Sequence, residues 1–463
     1  MKKKLLSVLL ATVMVTSLFT GCGKKSTETA KPAVTETPAA EATVAPEATS
    51  AAASTDATTD PKLEKKIKIL SIWAEDNDNG ILINNIAKRY QAEVNPNFSY
   101  EYELVSSSDL KMKVSTLAAS NDLPDIFVYE SGTPLKELVD ADKVVDIGAE
   151  LDKLGVADKM NPSAVSLLKG LAGTDTIYDL PLGLNVEGFW YNKALFEKAG
   201  VQPPTTWDEF ETVLSKLKDA GVQPLTCGAG DRWPATRLIN AYTVRLLGAD
   251  AMTKAANGEI KYTDEAYVKG ADKLQEWAKK GYFGEGVTTV DMNTAGSMLC
   301  SGQAAIFYNG SWFASQLNDK TFNKAGEDGI GFFNVPVVDA AVSDADSYSM
   351  NCGNVLCLSK DKYDEATSWF LKYFVSEIGN EAMSKQGSVK GYNYTVPEGD
   401  MTAYTKLVLD KINSSKSAFA WYEAKMNSEV STVAQENVQT LINGDMSSKD
   451  YMQSIQDAYD ASR

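Results

Sequence analysis

Five short stretches of the sequence place aromatic rings beside carboxylates, amides or a guanidinium. They combine Trp73 with Glu75, Tyr129 with Glu130, Trp233 with Asp231 and Arg237, Trp312 with Asn309, and Trp421 with Tyr422. A pyranose has an apolar C–H face that stacks on such rings, and a rim of hydroxyls that needs planar hydrogen-bonding partners. A single aromatic side chain is more often part of a core, so the prediction of a carbohydrate site depends on the polar neighbours in turns.

Several kinds of catalysis are excluded by composition. The chain has no histidine, which removes Ser-His-Asp and Cys-His nucleophilic schemes and His-ligated zinc. The glycine pairs Gly228-Ala229-Gly230 and Gly284-Glu285-Gly286 lack both a third glycine and a following Lys-Ser/Thr, so nucleotide binding is unsupported. No cofactor is expected.

The acidic turn at 75–80 invites a calcium interpretation. If Gly80 is the loop glycine of an EF-hand, Glu75 takes the first position, but Ile86 stands where a bidentate Glu is required. The EF-hand match therefore fails. A looser calcium site stays open beside a solvated turn or a sugar-contacting loop.

The cysteines leave two alternatives. Cys227, Cys300, Cys352 and Cys357 are too few for a disulfide framework in so long a chain. Cys352 and Cys357 lie close enough in sequence to pair across a hairpin. Burial of all four as small apolar side chains is the other interpretation, and the favoured one.

The N-terminus has the pattern of a secretory signal. Three lysines, Lys2 to Lys4, precede an apolar run that ends in Phe19-Thr20-Gly21-Cys22. This tetrapeptide resembles a bacterial lipobox, with Phe19 where Leu is usual, and predicts removal of residues 1–21 and lipidation (diacylglycerol, palmitate) of Cys22. The alternative is a plain secreted protein. The expected location is the extracytoplasmic face of a bacterial membrane.

The segment 22–63 is predicted to be a disordered tether, because Thr, Ala, Pro and Glu dominate it. Its root-mean-square reach would be roughly 35 Å. The formal charge of the chain is −17, and it becomes −20 without the three lysines of the signal. So acidic a body disfavours nucleic acid and anionic membrane surfaces as partners.

About 400 residues remain, which is more than one core normally supports, so two lobes are expected. Strand-like and helical stretches alternate and predict an α/β fold with largely parallel sheets. Strands are predicted at 66–72 and 125–129, and helices at 206–220 and 363–375. Thr206 and Glu209 form a capping box at the start of the first of these helices.

A resemblance to a known family adds to this interpretation. The stretch from Gly188 to Gly200, Gly-Phe-Trp-Tyr-Asn-Lys-Ala-Leu-Phe-Glu-Lys-Ala-Gly, and the stretch from Pro203 to Phe210 resemble the signature of family 1 extracellular solute-binding proteins, the group that includes maltose-binding protein. Further segments agree in order: 123–126, 302–312, 353–355 and 359–371.

The resemblance implies a two-lobe periplasmic-binding-protein-like fold of type II, with a ligand cleft between lobes joined by a hinge. It places the chain crossovers near Asn185 and Val335. The first lobe would hold 64–185 and 335–390, and the second 186–334 and 391–463.

The resemblance also implies the function and the site. The expected function is capture of a sugar, an oligosaccharide above all, for the permease of an ABC importer by a monomer without enzymatic activity. A lipid-anchored glycoside hydrolase is the rival, and a binding protein for a non-sugar solute shares the fold. The implied ligand residues are Trp73, Glu75, Asp76, Tyr129, Glu130, Asn185, Asp231, Trp233, Arg237, Asn309, Trp312, Gly353, Trp421 and Tyr422.

Overall fold

The structure, a computed structural model, describes residues 60–463. The predicted signal segment, Cys22 and the tether up to residue 59 lie outside the described residues. The last two residues assigned to the tether contact the folded body: the side-chain amides of Asn95 and Asn97 donate to the carbonyls of Leu63 (3.0 Å) and Lys62 (2.8 Å). The folded body therefore begins slightly earlier than residue 64.

Strands and helices alternate along the described residues, as the sequence pattern predicts. The strands are β1 Lys65–Ser71, β2 Phe98–Leu104, β3 Ile126–Glu130, β4 Leu180–Pro181, β5 Asn185–Asn192, β6 Gln223–Thr226, β7 Ala304–Gly310, β8 Ile330–Phe333, β9 Ser347–Asn351, β10 Asn354–Leu358 and β11 Ser417–Phe419. The α-helices are α1 Asp78–Arg89, α2 Leu110–Ala119, α3 Thr133–Asp140, α4 Ile147–Leu154, α5 Pro162–Ala172, α6 Lys193–Ala199, α7 Trp207–Asp219, α8 Trp233–Leu247, α9 Ala251–Ala256, α10 Glu265–Lys279, α11 Met292–Cys300, α12 Phe313–Asn318, α13 Glu365–Gln386, α14 Ala403–Ser414, α15 Ser428–Asn443 and α16 Ser448–Ala461.

The strands form two sheets, and each sheet with its helices is one lobe. The first has the order β2-β1-β3-β10-β4, and the second has the order β11-β9-β5-β7-β6 with β8 beside β5. The prediction of largely parallel sheets is wrong, because β10 runs antiparallel to both of its neighbours and β5 runs antiparallel to β7, β8 and β9. Both strands enter directly from the other sheet, without the helical crossover that parallel pairing requires.

The chain crosses between the sheets in three places: two short connections and the long segment between β10 and β11. We call the two short connections the crossovers. One crossover lies between Pro181 and Asn185. The other lies between Asn351 and Asn354, not near Val335, because β9 first pairs with β5 in the second sheet. Gly353 in this short connection has φ +71°, a backbone angle that glycine adopts without steric cost. The predicted division at residue 390 stays a prediction.

Hydrophobic packing holds each sheet against helices on both faces. One core fills the first lobe and continues onto one face of the second sheet. A second core lies between the other face of that sheet and helices that include α7, α8, α10, α15 and α16. The predicted capping box of α7 is present, since Thr206 accepts from the Glu209 amide and Glu209 accepts from the Thr206 amide. The helix expected to end near residue 375 continues to Gln386, where Gly387 ends it.

The four cysteines of the described residues are free and buried. Cys352 lies in the second crossover and Cys357 in β10, and they do not form the disulfide that was left open. Burial raises the pKa of the Cys300 thiol to about 12, and it raises the pKa values of the Cys352 and Cys357 thiols well above their ordinary value. The prediction of burial as small apolar side chains is confirmed.

Asp179 is a buried acid just before β4, and we expect it to make stability depend on pH. It is 1% exposed, and one of its carboxyl oxygens has no hydrogen-bond partner among the described residues. Burial raises its pKa from 3.8 to about 7. The folded state therefore binds more protons than the unfolded state between these pH values, so this group lowers stability as the pH rises from about 4 to 7.

Replacing Asp179 by Asn should remove this part of the pH dependence. Relative to the unmodified chain, Asp179→Asn should gain up to about 4 kcal/mol in free energy of unfolding between pH 4 and pH 8. Urea unfolding of both proteins at pH 4, 6 and 8 measures the difference. A difference that stays constant across this range would show that Asp179 titrates at its ordinary pKa.

Candidate functional site

Three tryptophans and one arginine of the predicted ligand set lie together. The Arg237 guanidinium carbon lies 5.3 Å from the centre of the Trp233 ring and 5.5 Å from the centre of the Trp421 ring. The rings of Trp233 and Trp312 have centres 6.2 Å apart and are tilted by 59°. We call Trp233, Trp312, Trp421 and Arg237 the ring cluster.

Local structure explains how the ring cluster forms. Trp233 and Arg237 are four residues apart in α8 and therefore share one helix face. Trp312 follows β7, and its ring covers Gly310, where a Cβ atom would lie 2.0 Å from the ring. Trp421 packs against Leu171 of α5, and so carries the cluster to the first lobe.

The three tryptophan rings differ in their exposure to solvent. A buried ring can only pack against the protein, whereas an exposed ring face can contact a ligand. Trp421 is 6% exposed, whereas Trp233 and Trp312 are half-buried. An indole that keeps an accessible face beside polar groups can stack on the apolar face of a sugar. Trp233 and Trp312 therefore have the geometry that a sugar platform requires.

Two buried carboxylates hold Arg237 in place. Glu187 in β5 lies 3.3 Å from Nε of Arg237, and Glu423 pairs with the NH1 group of Arg237. Both acids are buried, and the Arg237 side chain is only 11% exposed. The structure pairs the Arg237 guanidinium with these two acids, and direct ligand contact by Arg237 stays a prediction.

Glu187 and Glu423 were missed by the sequence analysis. Glu187 interrupts the otherwise apolar inner part of β5, and Glu423 directly follows Trp421-Tyr422. An acidic residue inside a buried strand rarely occurs without a partner. That rule was the available signal for Glu187, but it does not identify the partner.

Neutral donors complete the environment of the two acids. Glu187 accepts from the Tyr308 hydroxyl (3.2 Å) and from the Asn351 amide (2.6 Å). Glu423 accepts from the Thr236 hydroxyl. Burial raises the pKa of Glu187, although the Arg237 charge and these hydrogen bonds act in the opposite direction.

Hydrogen bonds connect the ring cluster to both crossovers. Asn351, which binds Glu187, also accepts from the side-chain amide of Asn185 (3.1 Å) and from the backbone amide of Gly353 (2.7 Å). Asn185 in turn accepts from the Ser311 hydroxyl at 3.2 Å. Asn185 and Gly353 belong to the predicted ligand set, and here they join the two connections between the lobes.

Glu130 brings the first lobe to the same region. It ends β3 and pairs with Lys111 at 2.9 Å, and Lys111 also donates to the hydroxyl of Ser431 in the second lobe (2.6 Å). Glu130 lies close enough to Arg237 to help raise the pKa of that guanidinium, together with Glu423 and Glu187.

The remaining predicted residues of the first lobe line the turn after β1. Trp73 is half-buried, and its carbonyl accepts from the Tyr102 hydroxyl at 2.8 Å. Glu75 and Asp76 are exposed, and Glu75 lies 3.7 Å from the ammonium of Lys88. Among the described residues, no contact joins this turn to the ring cluster, so its part in the site stays a prediction.

Two predicted ligand residues lie in hydrophobic cores instead. Tyr422 has no exposed surface and packs in the second core, where its hydroxyl contacts the Met452 sulfur at 3.6 Å. Tyr129 is 1% exposed in the first core. Tyr422 begins the turn after β11 and belongs to the second core, whereas its neighbour Trp421 packs on Leu171.

Asp231 and Asn309 have structural partners. The Asp231 carboxylate is exposed and accepts from the Met292 backbone amide at 2.8 Å. The Asn309 side chain is buried and accepts from the Gly310 amide at 2.9 Å. Ligand contact by either residue stays a prediction.

Residues 60–463 hold neither a metal-binding cluster nor a helix that could cross a membrane. No group of three or more Cys, Asp or Glu side chains there is arranged to hold a metal ion. In the same range, every helix is too short or too polar to cross a membrane.

Several known proteins resemble this chain in structure or in sequence. A chitin oligosaccharide binding protein has 26% sequence identity and a TM-score of 0.77, with 86% of this chain and 98% of that chain covered. An uncharacterized ABC transporter extracellular-binding protein of Pyrococcus horikoshii is 24% identical over 259 residues, which is 55% of this chain and 58% of that protein. A xylose/arabinose-binding protein of Haloferax volcanii is 24% identical over 296 residues, covering 60% of this chain and 62% of that protein.

A family model spans most of the folded body. The match covers residues 75–381 and includes β3, β5, β7, α7 and α8, which carry most of the site described above. The likeness to the solved structure covers both lobes. The chain therefore belongs to the family of bacterial extracellular solute-binding proteins.

Proposed function

We propose that this solute-binding protein captures a carbohydrate at the ring cluster and delivers it to the permease of an ABC importer. The observation that carries the proposal is the pair of half-buried rings, Trp233 and Trp312, held beside a buried charge network. Such rings offer stacking surfaces, and the nearby polar groups offer partners for hydroxyls.

Relatives support a sugar as the ligand. The solved neighbour is named for chitin oligosaccharides and the Haloferax volcanii relative for xylose and arabinose. Because this chain spans only 58% and 62% of the two curated relatives, their ligands serve as support and not as an assignment. An oligosaccharide is the proposed ligand class.

Closure of the two lobes is the proposed mechanism. Sugar would bind first to the rings of the second lobe, and the first lobe would then close over it by bending at the crossovers. Closure excludes water and strengthens the buried hydrogen bonds to the ligand. The closed form would be the form that the permease recognises.

The proposed location follows from the N-terminal pattern. Cleavage before Cys22 and its acylation would hold a monomer at the extracytoplasmic face of a bacterial membrane, beside its permease, through the tether at 22–63. Labelling with a fatty-acid analogue tests this, and Cys22→Ala should abolish the label. A label that persists in Cys22→Ala would contradict lipidation at this residue.

Binding without hydrolysis is proposed because of the state of the buried acids. A glycosidase requires one carboxyl group to protonate the leaving oxygen and a second to act on the sugar carbon or on water. Glu187 and Glu423 are both committed to Arg237. Incubation with chromogenic glycosides should release no chromophore, and release at an enzymatic rate would favour the hydrolase alternative.

Trp312→Ala should weaken sugar binding by at least tenfold, because its half-exposed ring supplies a stacking face. A thermal-shift screen of mono- and oligosaccharides first identifies a ligand, since a ligand at a hundred times its Kd adds about 2.7 kcal/mol to stability. Calorimetry with that ligand then compares the variant with the unmodified chain.

Trp369→Ala is the matched control. Trp369 is also half-buried, but it lies on α13 of the first lobe with Lys372 over its ring. This variant should keep its affinity within twofold. Equal affinity of Trp312→Ala and the unmodified chain would remove Trp312 from the site.

A further inference from the structure

The charges of the ring cluster do not balance. Two carboxylates, Glu187 and Glu423, face a single guanidinium, that of Arg237. Both acids are buried, with 0% and 2% exposure. Their other partners are neutral hydroxyls and amides, which stabilise a carboxylate without cancelling its charge. With both acids ionised, the ring cluster holds one more negative charge than positive charges.

The charged pairs around the cluster do not reverse this excess. Glu130 and Lys111 offset each other at 2.9 Å. Asp231 and Arg232 are neighbours in sequence just before Trp233, so together they add no net formal charge to this segment. These four residues therefore add no net positive charge near the ring cluster.

Lys425 is a further cation on the same segment as Glu423, but it faces the first lobe. Its ammonium donates to the carbonyls of Gly170 and Leu171, both at 2.8 Å. These carbonyls belong to the last turn of α5, where the helix dipole carries partial negative charge. Its charge is therefore partly offset at that position.

We infer that this site selects neutral or cationic saccharides and rejects those that carry a carboxylate. The inference rests on the proposed function and adds the charge class of its ligand. A uronic acid would need a cation near the rings, and Arg237 already serves two acids. A neutral sugar meets no such requirement, and an amino sugar would be attracted by the excess negative charge.

Titration calorimetry with matched saccharide pairs tests the inference. The probes are galactose and galacturonate, their disaccharides, and the N-acetylglucosamine dimer with its deacetylated, cationic form. The anionic member of each pair should bind at least tenfold more weakly than its neutral partner. This is the order of magnitude expected from repulsion by one unit charge several ångströms away in a partly polar environment. The difference in affinity should increase when the salt concentration is lowered, because the charges are then screened less.

Variants connect the selectivity to the buried acids. Glu187→Gln removes the excess charge and leaves Glu423 to pair with Arg237. The ratio of the affinity for the neutral sugar to the affinity for the anionic sugar should therefore fall severalfold. Glu423→Gln should act in the same direction and covers the case in which Glu187→Gln does not fold. Glu377→Gln is the control, because Glu377 pairs with Arg89 on the first lobe and should leave the ratio unchanged.

The outcomes separate the inference from the function on which it rests. Equal or tighter binding of the anionic members would overturn the charge selection and leave sugar binding intact. In that case, loss of binding of the anionic saccharides in the variant Arg232→Ala would identify Arg232 as the group that binds their carboxylate. Failure of every saccharide in the panel to bind would overturn the proposed function, and the inference with it.

Discussion

Arg237→Met is expected to lower the free energy of unfolding by about 3–5 kcal/mol, because it leaves two buried carboxylates without their cation. Met keeps the apolar stem of the side chain but lacks the guanidinium that lies against the Trp233 and Trp421 rings. Urea unfolding followed by tryptophan fluorescence measures it.

Arg89→Met is the matched control for this prediction. Arg89 also contacts two carboxylates, Glu377 and Glu381, but its side chain is 36% exposed. Solvent screens such a pair, so the variant should lose at most about 1 kcal/mol. Similar losses in the two variants would show that burial of the Arg237 network contributes little.

Neutralising the acids together with Arg237 should recover stability. The combined variant Arg237→Met, Glu187→Gln, Glu423→Gln removes the uncompensated charges and should regain most of the loss, since a buried ion network is often replaceable by neutral groups. No recovery would indicate that packing, and not charge, is responsible.

Tyr422→Ala is expected to cost about 3–5 kcal/mol of stability, the range for removal of a fully buried ring. The fraction that remains folded should bind sugar as well as the unmodified chain. Urea unfolding and calorimetry on the same samples separate the two effects. Tyr422→Phe removes only the hydroxyl, which contacts the Met452 sulfur, and should cost less than about 1.5 kcal/mol.

Trp421→Ala, at the next position, should behave differently. Its ring lies over Arg237 and packs on Leu171 of the first lobe, so its removal should weaken sugar binding more than Tyr422→Ala does. If Tyr422→Phe alone weakened binding, the Tyr422 hydroxyl would contact the ligand and the sequence prediction for this residue would stand.

Local signals in the sequence predicted much of the fold. The capping box of α7 and the positions of β1 and β3 depend on neighbouring residues, and the structure has them within one or two residues. The second crossover was misplaced because its position depends on whether residues 347–351 pair with β5, and pairing over so long a sequence separation leaves no local pattern.

The candidate site was predicted in part. The tryptophans beside polar residues in turns identified the ring cluster, since turns place side chains at the surface of the sheets. The roles of Arg237 and Glu187 depend on which charges meet after folding, and residues 187, 237 and 423 are far apart in sequence. The burial of Tyr422 in the second core could not be predicted, because composition alone does not reveal which of two adjacent rings faces a core.

The burial of the thiols has a practical consequence. Each of the four cysteines in residues 60–463 is buried, and thiols without access to solvent react slowly with maleimide dyes. A single cysteine introduced beside the half-exposed Trp233 would therefore be the reactive thiol of this part of the chain. A fluorophore attached there would convert the protein into an optical reporter of its own ligand.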